Sequence, residues 1–142
     1  SDAKKVGIKI NLKNVDYNVL DGIGVRGEYD LLISNILTEQ AGDPEVFVNQ
    51  YWKTNVDGSN PQNGSGYSNP EYDALSDQLA SEFDPAKRRD IIIKMEKIVQ
   101  DDAATLIFGY PQTNMVSNKS VQNANIYPCD YYWVTKDITP AK

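Results

Sequence analysis

The stretch "GYSNPEYDALSDQLASEFDPAKRRD", residues 66–90, holds two Asx-Pro pairs, Asn69-Pro70 and Asp84-Pro85, each followed by a run with helical spacing. Proline is tolerated at the first helical position because its missing N–H would have no intrahelical acceptor there. The preceding Asx side chain accepts from the first turn. The first pair therefore predicts a helix with Tyr72, Leu75 and Leu79 on its inner face. The second predicts a helix carrying Ile91, Ile92, Met95, Ile98 and Val99 inward. Asp90 and Lys94 stand four apart on that helix, a pair worth roughly 0.3 kcal/mol.

Upstream, Val6, Ile8, Ile10 and Leu12 alternate with Lys9, Asn11 and Lys13, the period of a strand with one covered face. Asp16 or Asn18 then caps a short helix with Val19, Leu20 and Ile23, which ends in glycines. "EYDLLISNIL" follows, and its continuously apolar Leu31 to Ile33 has the pattern of a buried parallel strand. Strand, helix and strand in this spacing predict a right-handed βαβ unit. "GDPEVFVNQYW" predicts a third helix, with Asp43 as N-cap, Pro44 at the first helical position, and Val46, Phe47, Gln50 and Tyr51 along one side. Residues 53–69 form a loop dense in Gly, Asn, Ser and Pro, and a loop this long inside a compact domain is expected to be functional or mobile. Beyond the two Asx-Pro helices, "ATLIFGYP" and "TNMVSN" read as strands joined around Pro111, and "YYWVTKDI" closes the chain. With no repeats and no low-complexity segment, residues 1–142 read as a single α/β domain.

Composition narrows the chemistry. The chain has 142 residues with 14 Lys+Arg against 20 Asp+Glu, a formal net charge of −6. That length suits one domain burying about two thirds of its unfolded surface. An acidic chain without a basic block is a poor partner for nucleic acid or an anionic membrane surface. No apolar run approaches the ~20 residues needed to span a bilayer. No signal peptide is visible, and "SDAKKVGIKI" enters a strand pattern so soon that it reads as a cut inside a larger protein. Histidine is absent, which removes Ser-His-Asp and Cys-His catalysis and His-containing zinc sites. Cys129 is the single cysteine, so the chain has no internal disulfide, and its setting "YPCDYYW" is that of a structural residue. The redox compartment stays open.

Several motifs resolve to ordinary structure. Gly22, Gly24 and Gly27 satisfy GxGxxG, but the dinucleotide mechanism needs that loop between a strand and the helix N-terminus that meets the pyrophosphate. Here the glycines precede a strand pattern, so they read as a helix-to-strand turn. A calcium loop counted from Asp57 fails, with Ser59, Pro61, Gln62 and Ser68 at ligand or glycine positions. Asp101 and Asp102 read as a solvated helix end rather than an acid/base pair. Asn63-Gly-Ser65 and Asn118-Lys-Ser120 match the glycosylation sequon, a short and common pattern.

In an open α/β sheet, ligands bind beyond the carboxyl ends of the strands. "NILTEQAGD" offers Thr38, Glu39 and Gln40 at one such end, and "FGYPQT" offers Tyr110 and Gln112 at the other. These five residues define the candidate ligand-binding face. No residue set points to a catalytic centre, a metal site or a cofactor.

Five ordered pieces, "KKVGIKINLKNVDYN", "GEYDLLI", "DPEVF", "GYSNPEYDAL" and "DPAKRRDIIIKMEKIVQDDAATLIFGYP", together resemble the family 5 extracellular solute-binding proteins. These are the dipeptide, oligopeptide and nickel receptors of ABC importers. The resemblance covers nearly the whole chain and implies one lobe of a class II periplasmic-binding-protein-like (venus-flytrap) fold, a mixed sheet flanked by helices. The chain would be most of the C-terminal substrate-binding lobe, with an N-terminal lobe outside it and a membrane ABC permease as partner. The family is exported to the periplasm or the outer face of the membrane, and Gram-positive members are commonly lipid-anchored. It is not enzymatic.

In peptide-binding members an acidic residue in the loop before the "DP" motif pairs with the ligand's amino terminus. Alignment on Gly42-Asp43-Pro44 places Gln40 there, with Leu37 at the usual tryptophan. A neutral Gln cannot supply a charge-assisted bond to an ammonium group; Glu39 is adjacent. The absence of His, and Gly42 where nickel receptors would have a tyrosine, speaks against bare metal and leaves a metal held by its own chelator. Capture of a peptide or similar small polar ligand is therefore the leading expectation, and a nickel or metallophore receptor is the alternative. A small hydrolase using carboxylates, or a Ser/Lys pair at Ser1 and Lys4, is the distant third.

Overall fold

The computed structural model describes residues 2–36, 42–112, 114–127 and 134–141. Among them are five helices and one two-stranded ladder. Helix α1 is a single turn, Asp2–Lys5, continued by bonds from the Val6 and Ile8 N–H groups to the Ala3 carbonyl. Helix α2 spans Tyr17–Arg26, and the Asp16 side chain accepts from the Asn18 N–H at 2.9 Å as its N-cap. Helix α3 spans Glu45–Trp52, α4 Pro70–Ser81 and α5 Pro85–Asp101. The two Asx-Pro starts behave as their chemistry requires. Asn69 Oδ1 accepts from the N–H groups of Glu71 (2.9 Å) and Tyr72 (3.2 Å), and Asp84 Oδ1 from those of Ala86 (2.9 Å) and Lys87 (3.0 Å).

The chain forms two compact units, residues 1–104 and 105–142. In the first, α4 and α5 pack on one another and both pack on α3. The core comprises Val48 from α3, Tyr72 and Leu79 from α4, and Ile91, Ile92, Met95 and Val99 from α5. Leu75 and Ile98, also expected inside, are partly buried against it. On α3 the buried residue is Val48, not Val46 or Gln50. A helix of two turns wedged between two longer ones buries the position that meets both. Tyr72 is the one fully buried phenol among the described residues, and its hydroxyl donates to the Val48 carbonyl at 2.7 Å. That bond ties α4 to α3 from inside the apolar cluster.

Gly24 and Gly27 are explained by packing. Gly27 is left-handed (φ 64°) and closes α2, its N–H donating to the Gly24 carbonyl at 3.2 Å. A Cβ at Gly64 would overlap the Gly24 carbonyl, and one at Gly27 would overlap the Gly64 carbonyl. Two stretches of backbone pass where no side chain fits. The GxGxxG match is thus a helix terminus seated on a loop, and the segment before that helix is not a strand.

Four strand expectations are corrected. Residues 8–16 and 28–36 have no regular structure, so the βαβ unit is not formed, and neither are strands over 104–112 or 114–118. A strand is stabilised by a partner ladder, and no described segment pairs with these. The ladder that does form is antiparallel, β1 Val121–Gln122 with β2 Thr139–Pro140. It lies in the second unit and is extended by the Ala141 N–H donating to the Ser120 carbonyl at 2.8 Å. Residues 128–133, which hold Cys129 and the start of "YYWVTKDI", lie outside the described residues. The fold is therefore helix-rich with a small sheet, α and β mixed. On α5 the i,i+4 ion pair is Lys97 to Asp101 (2.9 Å), not Asp90 to Lys94.

Because Leu79 is fully buried among three helices, Leu79→Ala is expected to destabilise the chain by about 2–5 kcal/mol. Tyr72→Phe, which removes the bond to the Val48 carbonyl without changing shape, is expected to cost about 0.5–1.5 kcal/mol. Urea denaturation midpoints measure both.

Candidate functional site

Asp43 Oδ1 accepts from the Glu45 N–H at 2.9 Å and so caps α3 from one residue outside the assigned start. Its second oxygen and the Glu45 carboxylate each accept from Arg88 Nη2 at 2.8 Å. Arg88 Nη1 donates at the same time to the Leu79 carbonyl (2.8 Å) and the Glu82 carbonyl (2.7 Å). One guanidinium thus binds two carboxylates at the head of α3 and two carbonyls at the foot of α4, and its side chain is largely covered. The pairing with Glu45 and Asp43 raises the Arg88 pKa above its ordinary value against the opposing effect of burial. This junction immediately follows the segment that holds Thr38, Glu39 and Gln40.

The other end of α3 is closed by side-chain amides. Asn60 Nδ2 donates to the carbonyls of Asn49 (2.9 Å) and Lys53 (2.6 Å). Asn63 Nδ2 donates to those of Lys53 (2.9 Å) and Tyr67 (2.8 Å), and its Oδ1 accepts from the Ser65 hydroxyl at 2.8 Å. Thr54 is held from α4, its N–H donating to Asp73 Oδ1 at 2.9 Å and its hydroxyl to Asp73 Oδ2 at 2.5 Å. Ser76 donates to Asn49 Oδ1 at 2.8 Å. The residue 53–69 loop, expected to be functional or mobile, is bonded to itself and to α3 and α4. Asn63 is buried with every polar atom engaged, so the first sequon is not presented to solvent. Asn118 of the second is exposed, and its Oδ1 accepts from the Ser120 N–H at 3.1 Å.

Asp102 is an exposed helix end, as expected, and the structure adds partners that the sequence does not show. Its carboxylate accepts from the Tyr67 hydroxyl at 2.6 Å and from Asn69 Nδ2 at 2.9 Å, joining the foot of α5 to the head of α4. The Tyr67 bond, then the Asn69 bond, hold Asp102 below the usual carboxylate range. Burial first, and then the bond to Asp102, push the Tyr67 phenol up. Nothing in the sequence places Tyr67 and Asp102 together, because they are 35 residues apart.

Of the five predicted ligand residues, Thr38, Glu39 and Gln40 lie outside the described residues. Tyr110 and Gln112 are in the second unit on irregular backbone, and Tyr110 is 83% exposed. Among the described residues no three His, Cys, Asp or Glu side chains converge as metal ligands, and no helix is long and apolar enough to cross a membrane. Asp43 and Glu45 face Arg88 rather than an open cleft, which is a structural pairing and not an acid/base one.

The chain is similar to two curated proteins. It is 31% identical over 123 residues to the probable D,D-dipeptide-binding periplasmic protein DdpA of Escherichia coli, covering 86% of this chain and 23% of that one. It is 29% identical over 134 residues to the nickel-binding protein NikA of Staphylococcus aureus, covering 94% of this chain and 26% of that one. Both are family 5 solute-binding proteins. The chain is similar to members of that family over most of its own length. It spans about a quarter of the length of the relatives it matches. No family model matches the chain, and no solved structure does.

Three outcomes follow from the junctions. Lysine cannot reach four acceptors in one plane, so Arg88→Lys is expected to lower the thermal midpoint nearly as far as Arg88→Ala. A midpoint within error of wild type for the lysine variant would reduce Arg88 to a surface charge. Asn63→Asp replaces a double donor with an acceptor aimed at two carbonyls and is expected to cost more than Asn63→Ala, itself about 2 kcal/mol. The Asp102 contribution is present above its unfolded pKa and is lost as pH falls through its lower folded value. Asp102→Asn is therefore expected to flatten the loss of stability below about pH 4, measured by denaturation at a series of acid pH values.

Proposed function

We propose that this chain is part of the C-terminal ligand-binding lobe of a bilobed ABC-importer receptor, and that the receptor captures a peptide or similar small polar ligand between its lobes. The observation that carries this is the match of 86% and 94% of the chain to two binding proteins, one named for a dipeptide. In this reading the chain is one lobe of a venus-flytrap fold, exported to the periplasm or the outer face of the membrane, with a lipid anchor if the cell is Gram-positive. Ligand binding stabilises the closed arrangement of the lobes, and a membrane permease reads closure. The receptor performs no chemistry on its ligand. Supporting this, both relatives are named as binding proteins, and Asp43 and Glu45 are both paired with Arg88.

Thr38, Glu39, Gln40, Tyr110 and Gln112 are the proposed contacts. Gln40 offers an amide where an ammonium group would favour a carboxylate, so Glu39 or the other lobe supplies the charge partner for a peptide amine. A second reading is favoured by the match to a nickel-binding protein. With no histidine in these 142 residues, this reading has nickel arrive inside an organic chelator, which Thr38, Gln40 and Tyr110 suit as hydrogen-bonding groups rather than metal ligands.

Thermal stability of the full-length receptor against dipeptides, D,D-dipeptides and nickel with and without chelators separates the readings. A ligand at one hundred times its Kd adds about 2.7 kcal/mol. A shift with peptides alone, weakened by Glu39→Gln, is the expected result. A shift requiring metal and chelator together would install the second reading. Hydrolytic turnover abolished by Asp43→Asn would overturn both.

A further inference from the structure

The two amides that close the foot of α3 are followed by different residues. Asn60 and Asn63 each donate twice through Nδ2, Asn60 to the Asn49 and Lys53 carbonyls and Asn63 to those of Lys53 and Tyr67. Pro61 follows Asn60, and Gly64 follows Asn63. An Asn side-chain carbonyl is open to attack by the backbone nitrogen of the next residue, which closes a cyclic imide. Proline's nitrogen carries no hydrogen and cannot give that product. Glycine's nitrogen can, and no Cβ beside it hinders the approach. Both members of the Asn63-Gly64 pair are required by the fold. Two backbone carbonyls need a double donor at 63, and the Gly24 carbonyl occupies the place that a Cβ on residue 64 would take. The two requirements together write the dipeptide most open to this reaction.

We propose that Asn63 is a deamidation site, held inert by the native loop and released when residues 53–69 open. Gly64 N gives up its proton and bonds to Asn63 Cγ, the Cγ–Nδ2 bond breaks, and the amide nitrogen leaves as ammonia. Water then opens the imide at either carbonyl, leaving an aspartate or an isoaspartate at this position. No electrons are exchanged, and water is the co-reactant. In the closed loop the step is blocked at three points. Asn63 is 3% exposed, its Nδ2 is engaged by two carbonyls and its Oδ1 by the Ser65 hydroxyl, and Gly64 is seated against the last turn of α2. The side chain cannot turn onto Gly64 N without breaking these bonds, and local opening removes all three restraints at once. The product carboxylate has no N–H to give the Lys53 and Tyr67 carbonyls, so a modified loop closes poorly. The change therefore accumulates in one direction, in chains that have opened. Nothing in this chemistry involves the ligand.

The test follows the unmodified full-length protein in mildly alkaline buffer, with and without urea above its unfolding midpoint. Peptide fragmentation by mass spectrometry locates each amide-to-acid conversion. Asn63 is expected to convert at least about 100-fold faster in urea than in buffer, with Asn60 unchanged in both. Equal rates at Asn63 overturn the proposal, and so does conversion at Asn60 that keeps pace with it. Partly converted protein is then refolded and given a protease pulse at a urea concentration just below the midpoint of the unconverted protein. Converted chains are expected to be enriched at least about 10-fold among the cleaved ones. An even distribution overturns the proposal equally, because the modified loop would then close as well as the original.

Discussion

Arg88, on α5, holds four acceptors from two other pieces of chain, and the arrangement of the helical core depends on it. The α4–α5 connection is three residues long, so the foot of α4 and the head of α5 are forced together. A helix end leaves carbonyls without partners, and a planar guanidinium that is itself largely covered satisfies two of them. Its other edge draws in Asp43 and Glu45 and sets where α3 enters. The buried Tyr72 hydroxyl then fixes α3 to α4 from the inside. One polar clamp at the rim and one in the core act on the same short helix, and a helix of eight residues has little stability of its own to offer in place of either.

The remaining polar chemistry of the first unit also turns inward. Asn60, Asn63, Thr54 and Asp73 are engaged with the foot of α3 and the head of α4, and Asp102 joins Tyr67 and Asn69. A loop rich in Asn, Gly and Ser has the composition of a binding loop, yet amides that donate twice to backbone carbonyls have no donors left for a ligand. The loop is a clamp.

What was legible in the sequence divides by range. The helices α4 and α5 carry two independent local signals, an Asx cap with proline and an apolar period, and each core residue expected from them is buried or partly buried. The short α2 was legible for the same reason through Asp16 and Gly27. Strands were not, because alternation states that one face wants cover and says nothing about which chain supplies it. Val48 was missed on α3 since its inward position depends on where α4 and α5 lie. Arg88 and Asp102 were invisible as junctions because their partners are up to 45 and 35 residues away. The face built from Thr38, Glu39, Gln40, Tyr110 and Gln112 was read from strand ends, and of these only Tyr110 and Gln112 fall within the described residues.

The two relatives sharpen this division of labour. A D,D-dipeptide and a nickel ion have almost no recognition chemistry in common, yet proteins named for each match most of this chain at about 30% identity. Similarity that extends in both directions cannot reside chiefly in ligand contacts. In the proposed function Gln40 is an amide where a carboxylate would suit a cationic amine, so that position separates the peptide reading from the chelate reading.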